Sequence, residues 1–254
     1  MLIAVDIGNS SISIGFFTAS GLFVQKIDTY PLLSPSEYSA LVNEFIREKN
    51  MEKTSEGIII SSVVPGHTEV FRVTLKGLSS DEPLLVSYRL KTGLTFKIPN
   101  PEELGTDRIA NAVAAYEYYR DPVAAVDLGT ATTISVVDKE ANYIGGAIMP
   151  GIRLMNESLA KGASKLFEVP GQPPASALGI DTIGCIQSGL FYGTAGAVER
   201  VLNEIEENAG FGLKVIVTGG YGGMISGFLK KQHVFLPYLT LEGLRIIYRR
   251  NSDA

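Results

Sequence analysis

Tryptophan is absent from this chain, cysteine occurs once and histidine twice. The single Cys185 excludes an internal disulfide and any cysteine-based zinc site, and its apolar helical surroundings predict a packed core thiol. His67 and His233 lie far apart in sequence, which leaves little for a His-dependent metal centre or a nucleophile–histidine triad. No basic run occurs, and 22 Lys and Arg against 27 Asp and Glu give a net charge of −5. Nothing electrostatic therefore recommends nucleic acid or an anionic membrane as a partner, and an anionic ligand has to be held by local geometry. No apolar stretch has the length needed to span a bilayer. Met1 to Asp6 lacks the basic region of a signal peptide and runs straight into a strand, so a cytoplasmic protein without membrane partners is expected.

Glycine, by contrast, is plentiful at 27 residues, and one stretch uses it to organise the rest. Ile3-Ala4-Val5-Asp6-Ile7-Gly8-Asn9-Ser10-Ser11-Ile12-Ser13-Ile14-Gly15-Phe16-Phe17 reads as two strands joined by a tight turn, with a carboxylate near the end of the first. A glycine turn lets backbone N–H groups approach an anion, and the hydroxyls of Ser10, Ser11 and Ser13 add donors. The pattern returns as Val126-Asp127-Leu128-Gly129-Thr130-Ala131-Thr132-Thr133, with the two acids 121 residues apart, close to half of the 254-residue chain. So long a period predicts two copies of one domain rather than a solenoid. Two Asp-ended hairpins facing each other across a cleft would hold Mg²⁺ and a polyphosphate. A single D-x-G turn is also ordinary turn chemistry; the repetition is what points to a site.

Between the copies, Leu22–Ile27 alternates as a third strand, Ser34-Pro35-Ser36-Glu37 is a capping box that opens a helix, and Gly57–Val64 is a continuous apolar run suited to a central strand. From Pro122 the order of strands and helices restarts. The expected fold is α/β, with duplicated domains of mixed sheets flanked by helices, residues 1–120 and 121–254. Gly105-Thr106-Asp107-Arg108 leads into a helix lined by Ile109, Val113 and Tyr116. Asp107 there reads either as a helix cap or, beside Arg108, as an acceptor for a hydroxyl proton, exposed and with an ordinary carboxylate pKa. Gly145-Gly146 and Gly219-Gly220 mark close approaches by a ligand or by packed backbone. Ile183, Ile186, Leu190, Ala197 and Val201 form a helix stripe expected to be core.

Taken together, these segments, with Asp181-Thr182, Ile186-Gln187-Ser188-Gly189 and Gly145 to Gly151, resemble the type III pantothenate kinases, members of the acetate and sugar kinase/Hsp70/actin superfamily. The resemblance covers nearly the whole chain and implies duplicated ribonuclease H-like, actin-like ATPase domains. It implies transfer of the ATP γ-phosphate to the primary hydroxyl of pantothenate, in coenzyme A biosynthesis, by a homodimer. By the same resemblance Asp107 is the general base, and Gly105, Thr106, Arg108 and Thr182 also contact pantothenate. Asp6, Ile7, Gly8, Asn9, Ser10, Ser11, Ile12 and Ser13 hold ATP phosphates and, through Asp6 and water, Mg²⁺. Thr130 contacts ATP, and Asp127 binds a monovalent cation, K⁺ or NH₄⁺. Two positions depart from the family pattern: Ile98 replaces a usual Tyr and Ser135 a usual Asp. They leave room for a catalytically weak regulatory relative, or for a kinase of the same fold acting on another small acid.

Overall fold

The computed structural model describes residues 1–52 and 54–252. The chain begins with β1 (Leu2–Ile7), β2 (Ser11–Thr18), β3 (Gly21–Asp28), α1 (Pro35–Glu48), β4 (Gly57–Ser62), α2 (Pro65–Leu75) and β5 (Leu84–Leu85). It continues through β6 (Thr95–Phe96), α3 (Thr106–Tyr119), β7 (Val123–Leu128), β8 (Ala131–Val137), β9 (Asn142–Pro150) and α4 (Ile152–Gly162). Then follow α5 (Thr182–Ala209), β10 (Lys214–Thr218), α6 (Gly222–Ser226), β11 (Val234–Phe235) and α7 (Leu239–Ser252).

Two compact units emerge, each built on one mixed sheet. In the first, the strand order is β3-β2-β1-β4-β5, antiparallel through the two hairpins and parallel from β1 onward. Alternation along β1 and β2 sends Ile3, Val5, Ile7, Ile12, Ile14 and Phe16 to one face, where they meet Tyr38, Val42 and Ile46 of α1 and Phe71 and Leu75 of α2. Each fully buried side chain of this kind contributes about 1.5–3 kcal/mol, so this layer fixes the sheet. The capping box forms as the sequence predicts: Glu37 N–H donates to Ser34 Oγ, and Ser34 N–H donates to Glu37 Oε2.

The opposite face of β1, β2 and β4 is covered by α7, whose Leu239, Leu241, Leu244 and Ile247 are buried. This unit therefore comprises Met1–Leu94, Pro99–Ala114 and Leu239–Ala254, and the other comprises Thr95–Ile98 and Ala115–Tyr238. A division into 1–120 and 121–254 puts α7 with the second half, whereas its apolar stripe completes the first sheet. The approach is close enough to require glycine at Gly243, where a Cβ would lie 2.0 Å from Ala110 O; a Cβ on Gly57 would meet the Tyr248 ring.

In the second unit the order is β11-β10-β7-β8-β9-β6. Read outward from the central strand, β9-β8-β7-β10-β11 repeats β3-β2-β1-β4-β5 in order and sense, and β6 is an added edge strand parallel to β9. Ala124, Val126 and Leu128 of β7 pack with Val215 and Val217 of β10 and with Ile186, Leu190, Phe191, Ala195, Val198 and Leu202 of α5.

Three sequence expectations change in this unit. In the expected α5 stripe, Ile186 and Leu190 are buried, but Ile183 and Ala197 are exposed, because the buried row runs through Phe191, Thr194, Ala195, Val198 and Leu202. Cys185 is exposed rather than packed, with its Sγ 3.4 Å from Gly179 O on the side of α5 turned from the core. Gly145 and Gly146 take positive φ where the β8–β9 register slips, and a Cβ on Gly145 would touch nothing. Gly145 thus serves a backbone bulge, not a close approach. Among the described residues no helix is long and apolar enough to cross a membrane.

Because a backbone carbonyl cannot move aside like a side-chain tip, Gly243→Ala is expected to cost about 2–3 kcal/mol of stability, read as a lower urea midpoint. An unchanged midpoint would remove the close α7–α3 contact from the account of the first unit.

Candidate active site

Asp6, next to last in β1, stands in register between Ser13 of β2 and Ser61 of β4. Beyond it the chain turns through Gly8-Asn9-Ser10, and Gly8 N–H donates to Ser11 O at 3.0 Å. A Cβ on Gly8 would sit 3.2 Å from that same oxygen, so the turn is closed tightly. Asn9 and Ser11 are exposed, and Asp6, Gly8, Ser10 and Ser13 are partly so. Ile7 and Ile12 are fully buried in the core, which leaves only their backbone groups to face a ligand.

The sequence alone assigned no role to Ser61, yet it ties this turn to the start of α3. Ser61, fully buried at the end of β4, donates from Oγ to Asp6 Oδ1 at 3.1 Å. Its oxygen also lies 3.0 Å from Thr106 Oγ1. With the Ser61 proton spent on a carboxylate that only accepts, the single Thr106 hydroxyl proton faces two acceptors, Ser61 Oγ and Ser62 O. Thr106 Oγ1 in turn accepts from Ser62 N–H at 3.0 Å and lies 3.2 Å from Ser62 O. The Thr106 side chain is thus committed inside the fold. Two serines ending an apolar strand were the available signal; the register that sets one beside Asp6 was not readable.

Asp107 follows Thr106 within the first turn of α3, so it is not the residue that precedes the helix. Its Oδ1 accepts from Arg108 N–H at 2.8 Å, satisfying one of the first-turn donors. A Cβ on Gly105 would come 2.5 Å from Asp107 Oδ1, so glycine here leaves room for the carboxylate. The sequence predicts an exposed acid of ordinary pKa. Instead Asp107 is half-buried, and desolvation raises its pKa above 3.8, with the Arg108 N–H, the Arg108 charge and the Asp107 N–H opposing.

In the second unit Asp127 pairs in register with Thr133 of β8 and Thr218 of β10. Gly219 takes φ +91°, and a Cβ there would be 2.4 Å from Asp127 Oδ1; one on Gly129 would be 3.3 Å away. Gly151 N–H donates to Thr130 O at 3.1 Å, and a Cβ on Gly151 would lie 2.3 Å from Gly129 O. This turn is one residue shorter than the first, since Gly129 N–H bonds to Ala131 O where Gly8 N–H reaches Ser11 O. Ser135 is buried in β8, its hydroxyl 3.4 Å from that of Tyr143. Thr182 is the first residue of α5, after Asp181, whose Oδ1 caps the helix by accepting from Gly184 N–H at 2.7 Å. It lines a mostly apolar cavity of about 870 Å³ with Met155, Leu159, Leu166, Ile180 and Cys185. Among the described residues no three His, Cys, Asp or Glu side chains converge as a metal cage.

These features meet a specific pattern of known proteins. The family model described as type III pantothenate kinase matches residues 2–204. The chain belongs to the type III pantothenate kinase family. Relatives named type III pantothenate kinase include those of Agathobacter rectalis, 37% identical over 99% of this chain and 98% of the relative, and of Roseiflexus sp., 38% identical over the full length of both. The Geobacter sulfurreducens relative is 37% identical over the full length of both. Among solved structures, the activator of the 2-hydroxyisocaproyl-CoA dehydratase from Clostridium difficile, with bound ADPNP, aligns at TM-score 0.57 over 99% of this chain and 96% of that one, at 8% identity. A putative 2-dehydro-3-deoxygalactonokinase from Sinorhizobium meliloti aligns at 0.55 over 98% and 96%, at 13% identity. The fold is that of the actin-like ATPases and sugar kinases. As a member of this family the chain is an ATP-dependent kinase that phosphorylates pantothenate in coenzyme A biosynthesis.

Removing the hydroxyl that joins Asp6 to Thr106 is expected to lower kcat/KM of this kinase about tenfold in Ser61→Ala, the cost of a hydrogen bond to a charged group. Steady-state kinetics with both substrates checks it, and an unchanged kcat/KM would reduce Ser61 to core packing.

Proposed function

We propose that the first unit carries the transfer chemistry, with the Asp6 turn holding the phosphates of ATP and Asp107 activating the primary hydroxyl of pantothenate. The observation that carries this is the chain of hydrogen bonds from Asp6 through Ser61 to Thr106, which couples the phosphate turn to the residue preceding the base. In this reading the backbone N–H groups and hydroxyls from Gly8 to Ser13 neutralise phosphate charge without a P-loop lysine. The Asp107 carboxylate takes the hydroxyl proton as the oxygen bonds to the γ-phosphorus and ADP leaves. Gly105, Thr106 and Arg108 shape the acceptor side, Arg108 by its charge and Thr106 by its backbone, its hydroxyl being occupied. By the family resemblance, Thr182 is a further contact for the acceptor and Thr130 a contact for ATP.

With one carboxylate and no cage, Asp6 suits an Mg²⁺ held mainly by water and phosphate oxygens. Mg²⁺ bound there supplies charge neutralisation on the transferred group. Asp127, crowded by Gly129 and Gly219, is the ligand proposed for K⁺ or NH₄⁺. Ile180, which lines the cavity, is 93% exposed, and Leu178 and Phe167 of the same loop are exposed as well; these apolar side chains support a homodimer that covers them. The role in coenzyme A biosynthesis supports a cytoplasmic location.

Asp107→Asn is expected to lower turnover by several orders of magnitude while leaving ATP affinity nearly intact. ADP release coupled to pantothenate, with K⁺ compared against Na⁺, tests both the base and the cation; wild-type turnover in the variant would return Asp107 to a structural role.

The rate also depends on pH in a defined sense. The base acts ionised, so activity falls as pH drops through the raised Asp107 pKa, and the acid limb of kcat/KM lies above 3.8. A folded pKa above the unfolded one stabilises the protein below the unfolded pKa, and that contribution is lost as pH rises through the folded value. Ionised Asp107 is thus a cost at neutral pH, and Asp107→Asn is expected to hold or raise Tm there. A lowered Tm together with an acid limb at or below 3.8 would contradict the desolvation assigned to this group.

A further inference from the structure

Thr29 and His67 lie outside every motif named above, yet Thr29 is buried against the first acidic turn and His67 is buried against Thr29. Thr29 is fully buried and His67 is 2% exposed. Thr29 follows β3 and meets the turn twice. Its Oγ1 donates to Gly8 O at 2.7 Å, and its N–H donates to Ser10 O at 3.2 Å. His67, in the first turn of α2, has Nε2 at 2.7 Å from Thr29 O. A carbonyl oxygen only accepts, so Nε2 carries the proton in this contact. The result is a stack of three layers: imidazole, threonine, turn.

The consequence follows from peptide geometry. In a trans peptide the C=O and the N–H of the next residue point in opposite directions. Gly8 C=O shares its peptide with Asn9 N–H, and Ser10 C=O shares its peptide with Ser11 N–H. Binding both carbonyls to Thr29 therefore aims those two N–H groups away from Thr29, and the residues that carry them, Asn9 and Ser11, are exposed. Left unheld, a Gly-Asn-Ser turn could rotate either peptide and present an oxygen to the ligand instead. For an anion that exchange reverses the sign of the contact.

We propose that Thr29, backed by His67, is a positioning residue for the nucleotide phosphates, holding the Gly8–Ser11 backbone with its donors outward. This rests on the reading that the Asp6 turn binds ATP phosphates. Neither side chain touches the ligand; both act through the orientation of two peptide groups. The hydroxyl is the part of Thr29 that matters to Gly8, so Ser is a functional substitute and Val is not, although Val matches the shape of Thr. For His67, Gln places an amide N–H near the position of Nε2, whereas Leu removes the donor.

The test is steady-state kinetics of Thr29→Val, Thr29→Ser, His67→Leu and His67→Gln, with Asp6→Asn as a direct variant of the turn and Tm recorded for each. Thr29→Val is expected to raise the KM for ATP about tenfold with the KM for pantothenate changed less than about twofold. Thr29→Ser is expected to restore it to within about twofold, and His67→Gln to lie closer to wild type than His67→Leu. A merely structural role would lower Tm in Val and Leu and leave the KM for ATP in place, which overturns the proposal. So does failure of Ser to rescue. If Thr29→Val does not fold, the His67 pair carries the same comparison. Should Asp6→Asn bind and use ATP normally, the reading of the turn itself fails; should Asp6→Asn be impaired while Thr29→Val is not, the phosphate turn stands and the brace falls.

Discussion

The hydrogen bond between Ser61 and Asp6 depends on one feature of the first sheet, the parallel register of β1 and β4. With Asp6 opposite Ser61 and Ile7 opposite Ser62, the hydroxyl and the carboxylate share the face away from α1 and α2. A slip of one residue would turn Ser61 towards the apolar layer and separate it from Asp6. What forbids the slip is burial: Ile58 and Ile60 belong to the same core as Ile3, Val5 and Ile7, and α7 closes the other face. The chemistry of the turn is therefore held by the packing of strands several residues away from it.

The two units share a sheet plan but solve the end of the central hairpin differently. The first turn is longer and is propped from beneath by Thr29. The second is shorter and is crowded by backbone, with Gly151 against its carbonyls and Gly219 against Asp127. Glycine does different work in the two places. At Gly8 it allows a tight closure, and at Gly219 a positive φ is combined with an approach that any Cβ would block. The two units share the acid and the strand order while their turns differ, which agrees with different proposed tasks for Asp6 and Asp127.

Asp107 illustrates the conflict between burial and charge. Its setting at the start of α3 offers one strong donor, the Arg108 N–H, and the charge of Arg108. Desolvation still outweighs them and raises the pKa. A carboxylate made more basic in this way is a better proton acceptor, and the protein gives up some stability at neutral pH to hold it there.

Much of this was legible in the residues themselves. The apolar alternation around Asp6 and Asp127, the Ser34–Glu37 capping box and the restart after Pro122 predict duplicated mixed α/β units, because strand period, turn chemistry and helix caps are local properties. The motif order from Asp6 to Thr182 likewise placed the chain in its family. The tertiary structure decided what depends on distant segments meeting. It moved α7 to the first sheet, exposed Cys185 and Ile183, and buried Asp107 enough to raise its pKa. It also recruited Ser61, Thr29 and His67 to support the turn. Periodicity says which face of an element is apolar, but not which neighbour will cover it, and a buried hydroxyl has meaning only once strand register has chosen its partner.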